Sequence, residues 1–157
     1  MITTPTPPDL SAEALMDAVS RRAGGDDWGE GPFVDALRLL LSCAQGDTLN
    51  ELGRRVLRSI ALRHLSNRLT VQAFVRSHPD VNGTALVRPI VVTGLPRTGT
   101  TALQQLLVLD PAHRPLRLWE ALRPVPAVDV ADRAARVADA ETWLGHFYES
   151  VPGFRAI

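Results

Sequence analysis

Apolar side chains recur every three or four positions through the first half of the chain, which is the period of an amphipathic helix. Ser11 is suited to cap a first helix over about 12–22, and Pro32 fits the first turn of a second helix. Residues 10–80 are therefore expected to form an all-helical segment. The Pro- and Thr-rich stretch before it, residues 1–9, is expected to be a flexible tail.

A third helical pattern is longer than the first two. It follows a stop at Gly46, begins behind the capping box formed by Thr48 and Glu51, and closes at Pro79. The apolar repeat weakens at 67–70, so the sequence is compatible with a break in the helix there.

The pattern changes in residues 88–157. Ile90–Thr93 is a short β-branched run, which predicts a strand buried on both faces, as in parallel sheets. A glycine-bounded turn at 94–99 leads into another helix. Most of 111–128 is expected to be loop with a weak strand at 116–119, and an Ala-rich helix follows from Asp129 to about Tyr148. The predicted fold class is therefore α/β, with a strand–turn–helix unit behind an all-helical segment.

One convincing strand is too few for a parallel sheet, which needs several strands covered on both faces. We therefore expect the chain to be the N-terminal piece of a longer protein, so that 88–157 would be the incomplete start of a sheet-containing domain. The alternative is a small helical protein with one irregular segment.

Charge is distributed unevenly although the net charge is zero. Residues 1–53 have a balance of −6, residues 54–123 a balance of +8 and residues 124–157 a balance of −2. The middle of the chain is therefore where an anionic ligand would be attracted. All 17 basic residues are arginine, so any cation that holds a phosphate must be a guanidinium.

Composition excludes several classes of protein. The single cysteine, Cys43, excludes an intramolecular disulfide and a Cys-rich zinc site, and its apolar helical surroundings predict a buried thiol. No histidine pair has metal-ligand spacing, and His113 is expected to secure a loop. No apolar run reaches about 18 residues and no signal peptide is present at the N-terminus, so a cytoplasmic location is the default expectation. The arginines of 54–68 alternate with apolar residues, which predicts a solvated helix face and not a nucleic-acid site.

The turn at 94–99 has the layout of a phosphate-binding loop. The first N–H groups of a helix lack internal partners, and with the helix dipole they attract anions. Gly94 and Gly99 have the spacing of the nucleotide-binding P-loop G-x-x-x-x-G-K-[ST], and Thr101 stands at its Ser/Thr position. The lysine position holds Thr100, and the cation lies inside the turn as Arg97. The loop therefore suits a shorter anion than a nucleoside triphosphate, namely a 5′-phosphate with one further anionic group.

These residues resemble a known family. GLPRTGTT behind a hydrophobic strand is similar to the 5′-phosphosulfate-binding loop of sulfotransferases, which use 3′-phosphoadenosine-5′-phosphosulfate (PAPS) as donor. The stretches LQQLLVLDPAHRPLRLWEALRPVP and LGRRVLRSIALRHLSNRL resemble the actinobacterial branch of that superfamily. The resemblance implies a P-loop-like α/β fold, sulfuryl transfer to a hydroxyl or amine, and no required metal. It also implies that the 3′-phosphate site lies beyond Ile157, so that this chain alone would not complete catalysis.

The resemblance also implies roles for single residues. Arg97 would contact the 5′-phosphate or its bridging oxygen, where a planar guanidinium offsets charge on the leaving group. The other cofactor-binding candidates supply hydroxyls, backbone amides and the shape of the turn: Gly94, Pro96, Thr98, Gly99, Thr100 and Thr101. The structural alternatives are an exposed loop arginine and ordinary threonine capping of a helix.

Glu120 is the candidate for the base that takes the proton of the acceptor. Its alternative is a structural salt bridge with Arg117 or Arg123, and the sequence does not decide between the two.

Two other functions remain open from the sequence. A Mg-dependent nucleotide phosphotransferase would need a lysine that the chain lacks. A non-catalytic helical interaction module would use the turn only as a structural element. The sequence leaves the acceptor and the oligomeric state open.

Overall fold

The structure is a computed structural model that describes residues 9–44, 49–95, 98–151 and 153. It divides into two compact units, Met1–Val81 and Asn82–Ile157. All but one residue of the expected tail lies outside the described residues, as do Gly46 and Thr48 of the helix signals.

Three helices build the first unit: α1 (Ala12–Ala23), α2 (Phe33–Cys43) and α3 (Glu51–Ser77). Both α2 and α3 pack on α1, and a short 3₁₀ helix, Pro79–Gly83, follows α3. The Ser11 hydroxyl caps α1 by accepting the N–H of Ala14 at 3.3 Å, as the sequence predicts.

The core of the first unit lies between α1, α2 and α3. Its buried members come from all three helices: Ala12, Leu15, Val19, Leu41, Ala61, Leu65 and Leu69. Each buried leucine contributes about 1.5–3 kcal/mol relative to exposure. Arg68 links α3 to the segment before α2, because it donates to the carbonyls of Trp28 and Glu30 at 2.6 and 2.9 Å.

Two expectations for the first unit are wrong. The helix α3 has no break at 67–70, because Leu65 and Leu69 are buried in the core and keep its face against α1. Cys43 is exposed. It lies two positions beyond buried Leu41, about 200° around the helix, so its side chain faces away from the core.

The helix α3 is capped at Asn50, whose side chain accepts the N–H of Gly53 at 2.8 Å. Glu51 is therefore the first residue inside the helix.

The second unit contains α4 (Thr100–Leu107), α5 (Leu118–Leu122) and α6 (Val130–Ser150), and α5 packs on α6. Asp129 caps α6 by accepting the N–H of Asp132 at 2.7 Å, as expected. Arg136 of α6 pairs with Asp132 at 2.8 Å and donates to the carbonyl of Val125 at 2.5 Å. The α5–α6 connection is thus held mainly by polar contacts.

The described part of the chain contains no strand, so the expected sheet is not confirmed, and the strand expected at 116–119 is wrong. Residues 90–93 are irregular, with Ile90 57% and Val91 78% exposed. A strand is stable only when a neighbour accepts and donates its backbone hydrogen bonds, and no second extended segment among the described residues pairs with 90–93. At 116–119 the chain instead begins α5, because Glu120 accepts the backbone N–H of Arg117 and starts a helix.

Within the described residues, no helix is both long and apolar enough to cross a membrane.

Candidate functional site

The turn before α4 presents the start of that helix to solvent. Gly99 is its N-cap residue and adopts a φ of +85°, which residues with a Cβ rarely adopt. No side chain caps this helix in the described part of the chain, and no atom lies within 4 Å of where a Cβ on Gly99 would stand. Among the described residues, the first-turn amides of α4 therefore have no capping side chain, as an anion site requires.

The other glycine of the turn is needed for close packing. A Cβ on Gly94 would lie 2.8 Å from the Thr98 Oγ1 atom and 3.0 Å from the Thr100 Cγ2 atom. The Thr98 hydroxyl donates to the Leu95 carbonyl at 2.7 Å, which closes the turn on itself. Donation from Thr98 to a ligand would require that bond to break. The remaining turn candidates, Pro96 and Arg97, lie outside the described residues.

A cavity of about 530 Å³ opens beside the start of α4. Thr100 and Thr101 line it together with a set of polar and basic side chains that the sequence analysis did not single out: Arg88, Gln104 and Arg114. His113 also lines it, and its Nδ1 atom lies 3.1 Å from the Leu107 carbonyl, so it secures the loop after α4 as expected.

Arg88 has an unusual backbone at this cavity. Its φ is +48°, the left-handed region that costs an L-residue roughly 1–2 kcal/mol. Strained backbone of this kind occurs preferentially at functional positions. The excess of arginine over 54–123 is the sequence signal that contained both Arg88 and Arg114, but charge alone does not show which arginines face one cavity.

Glu120 is held by two partners. Its Oε1 atom accepts from the Arg114 guanidinium, and its Oε2 atom accepts the backbone N–H of Arg117 at 2.8 Å. The hydrogen bond from Arg117 lowers the pKa of the Glu120 carboxyl, and the charge of Arg114 lowers it further against the opposing effect of burial. The salt bridge thus forms with Arg114, not with the Arg117 or Arg123 side chain; Arg123 pairs with Asp139 at 2.5 Å.

A second cavity has a volume of about 810 Å³ and is also lined by Arg114. Arg114 and Leu116 line both cavities, and Glu120 and Trp119 line the second one. The candidate base therefore lies in a cavity that adjoins the one at the start of α4. In the described part of the chain no three His, Cys, Asp or Glu side chains group as metal ligands would.

Two comparisons with known proteins found similarity to sulfotransferases. Residues 89–149 match the pattern of a family described as the sulfotransferase family. The structure superimposes on the crystal structure of the sulfotransferase STF1 from Mycobacterium tuberculosis H37Rv with a TM-score of 0.74 and 31% sequence identity. The superposition covers 92% of this chain and 42% of that chain. No curated protein sequence matches significantly.

Both matches are to sulfotransferases, so they support the resemblance found in the sequence. The chain spans less than half the length of the mycobacterial structure. The likeness supports a fold of the sulfotransferase type, while the described residues themselves contain helices and no sheet.

Proposed function

We propose that this chain carries the donor-binding part of a sulfotransferase that takes a sulfuryl group from PAPS and transfers it to a hydroxyl or amine. The observation that carries the proposal is the start of α4, where Gly99 has a positive φ and no side chain among the described residues caps the first-turn amides.

The residues around the turn fit a phosphosulfate group. Thr100 and Thr101, whose hydroxyls can donate hydrogen bonds, line one cavity with Arg88 and Arg114, which add positive charge to it. Arg97 belongs to the same turn by its position in the sequence, between Gly94 and Gly99. When bound, PAPS supplies an activated sulfuryl group, and Arg97 would offset the charge that develops on its leaving 5′-phosphate.

Glu120 is proposed as the proton acceptor. During transfer, the acceptor oxygen or nitrogen forms a bond to sulfur, while the bond from sulfur to the bridging oxygen breaks and its electron pair stays on the phosphate. The proton of the acceptor goes to Glu120, the only carboxylate among the described residues that line the second cavity. The Arg114 guanidinium donates to the Oε1 atom of Glu120, and this hydrogen bond would have to break when the acceptor binds.

The proposal also includes the β-sheet that the sequence predicts around residues 90–93. Ile90 and Val91 are strongly exposed in a β-branched run just before the turn, and burying them is favourable by roughly 1.5–3 kcal/mol each. We propose that this run is an inner strand in the complete sulfotransferase fold, paired with strands that the described residues do not contain.

The proposal is tested by ligand binding to the full chain. Thermal unfolding is followed with 3′,5′-adenosine bisphosphate, the desulfated product, with and without magnesium. The bisphosphate should raise Tm without magnesium, because it binds the folded state only. Arg97→Ala should weaken binding on the order of 10- to 100-fold, the value of one or two charge-assisted hydrogen bonds.

Arg22→Ala is the matched control, since Arg22 is an exposed arginine at the end of α1 in the other unit. It should leave bisphosphate binding unchanged. Stabilisation by ATP with magnesium, and not by the bisphosphate, would favour a nucleotide phosphotransferase. Stabilisation by neither ligand would favour a helical interaction module and refute the proposal.

A further inference from the structure

The second cavity, which Glu120 lines, is rich in guanidinium groups. Four arginines line it, from the segment around α5 and from α6: Arg114, Arg117, Arg123 and Arg133. Glu120 is the only described acidic residue among its lining. The cavity therefore has an excess of positive charge at its wall.

Only part of that charge is neutralised. Arg114 pairs with Glu120, and Arg123 pairs with Asp139 at 2.5 Å. Among the described residues, neither Arg117 nor Arg133 forms a salt bridge. Arg117 and Arg133 thus bring positive charge to the cavity wall that no salt bridge among the described residues neutralises, and a concave wall concentrates such a field.

The rest of the lining is apolar. Leu116, Trp119, Val125 and Pro126 contribute hydrocarbon and indole surface to the same cavity. The Arg133 guanidinium lies 5.7 Å from the centre of the Trp119 ring, a cation–π distance that holds Arg133 beside the indole. Charge and apolar surface are therefore combined at one place.

We propose that this cavity binds a sulfuryl acceptor that has an anionic group next to an apolar body. The inference rests on the proposed function, because it identifies the cavity as the acceptor side of the same site. Arg117 and Arg133 bind the anion, and Trp119 packs against the apolar part. Arg114 and Leu116, which line both cavities, lie where the acceptor group would meet the donor.

The proposal predicts a preference for charge among otherwise equal ligands. Octyl glucoside and octyl glucuronide share a sugar ring and an alkyl chain, and they differ in that the second has a carboxylate. Isothermal titration of the full chain below micelle-forming concentrations should show tighter binding of the glucuronide by about 10-fold or more, as one charge-assisted hydrogen bond provides. Added salt should reduce the difference, because it screens exposed charge.

Substitutions at Arg117 and Arg133 test whether these residues bind the carboxylate of the glucuronide. Arg117→Gln and Arg133→Gln should each bring the affinity for the glucuronide towards that for the glucoside, and Arg22→Ala should preserve the difference. Glutamine removes the charge while keeping a polar, though shorter, side chain, and far-UV circular dichroism checks the fold. Equal affinities of the unaltered chain for the two ligands would refute the proposal without the use of any variant.

Competition separates this proposal from the proposed function. Glucuronide binding that persists at saturating 3′,5′-adenosine bisphosphate supports two adjacent sites. Displacement of the glucuronide by the bisphosphate would place both anions in the donor cavity and overturn the inference while leaving the proposed function intact. Absence of bisphosphate binding, with the preference for the glucuronide retained, would refute the proposed function and leave the anion-binding cavity.

Discussion

Gly99 illustrates how a single residue determines the geometry of the candidate site. Its φ of +85° directs the chain from the turn into α4 and leaves the space in front of it empty. A residue with a Cβ at this position would adopt this positive φ only at a cost of roughly 1–2 kcal/mol. The glycine at the end of the turn that leads into α4 is therefore explained by backbone conformation as well as by access for a ligand.

Gly99→Ala should destabilise the second unit by about 1 kcal/mol and weaken bisphosphate binding, because the turn either strains or rearranges. Thermal unfolding and ligand titration measure the two effects. Gly145→Ala is the control: Gly145 lies inside α6 with no neighbour near its Cβ position, so alanine should stabilise the chain by roughly 0.5–1 kcal/mol. Equal stabilisation by both substitutions would contradict the role given to Gly99.

Glu120 combines a structural and a proposed chemical role in one carboxylate. The hydrogen bond from Arg117 and the charge of Arg114 lower its pKa in the folded chain. A carboxyl with a lowered folded pKa stabilises the folded state above its unfolded pKa, about 4.3, and the stabilisation is lost as pH falls through the folded value.

Glu120→Gln should therefore destabilise the chain at neutral pH, and the difference from the unaltered chain should shrink below about pH 4. Urea unfolding at a series of pH values measures this. Glu141→Gln, at an exposed position of α6, should change stability by less than about 0.5 kcal/mol. A difference that grows on acidification would be inconsistent with the observed partners of Glu120.

At the scale of elements, local caps explain where helices begin. Ser11, Asn50 and Asp129 each accept an N–H three residues ahead, at the start of α1, α3 and α6. The same type of contact, from Glu120 back to the N–H of Arg117, begins α5 in place of the expected strand. A carboxylate three residues after a helix start was a local signal for α5 that the apolar pattern at 116–119 concealed.

Asn50→Ala should lower the stability of the first unit by about 1 kcal/mol, because the N–H of Gly53 loses its acceptor. Ser59→Ala, at an exposed position further along α3, is the control and should have an effect of less than about 0.5 kcal/mol. Urea unfolding followed by circular dichroism compares the two. Equal midpoints for Asn50→Ala and the unaltered chain would show that α3 does not depend on this cap.

At the scale of the whole molecule, the two units differ in the burial of apolar side chains. Nine of the ten buried hydrophobic residues described belong to Met1–Val81, and Ala140 alone belongs to Asn82–Ile157. Hydrophobic burial is the main favourable contribution to folding. The first unit therefore has a core of its own, while the second depends more on caps and salt bridges.

Amide hydrogen exchange of the full chain should reflect this difference. The slowest amides should lie around Leu15 and Leu65, where opening requires loss of the core, and the amides of residues 90–93 should exchange fast because no strand partner protects them. Strong protection at 90–93 would show that this segment is paired in solution and would contradict the irregular conformation of the structure.

The sequence by itself determined the features that depend on near neighbours. Helical periodicity and caps predicted α1, α2, α3 and α6, since a helix forms its hydrogen bonds within four residues. The spacing of Gly94 and Gly99 likewise predicted a turn into a helix, and Gly99 occupies it with the positive φ that only glycine accepts readily.

Only the tertiary structure decided the features that depend on distant residues. The β-branched run at 90–93 has the composition of a strand, but a strand takes its hydrogen bonds from other parts of a chain. The pairing of Arg114 with Glu120, and the contact of Arg133 with Trp119, join residues that no spacing rule relates. Side chains that converge on one cavity are brought together by the path of the chain, which local sequence patterns do not contain.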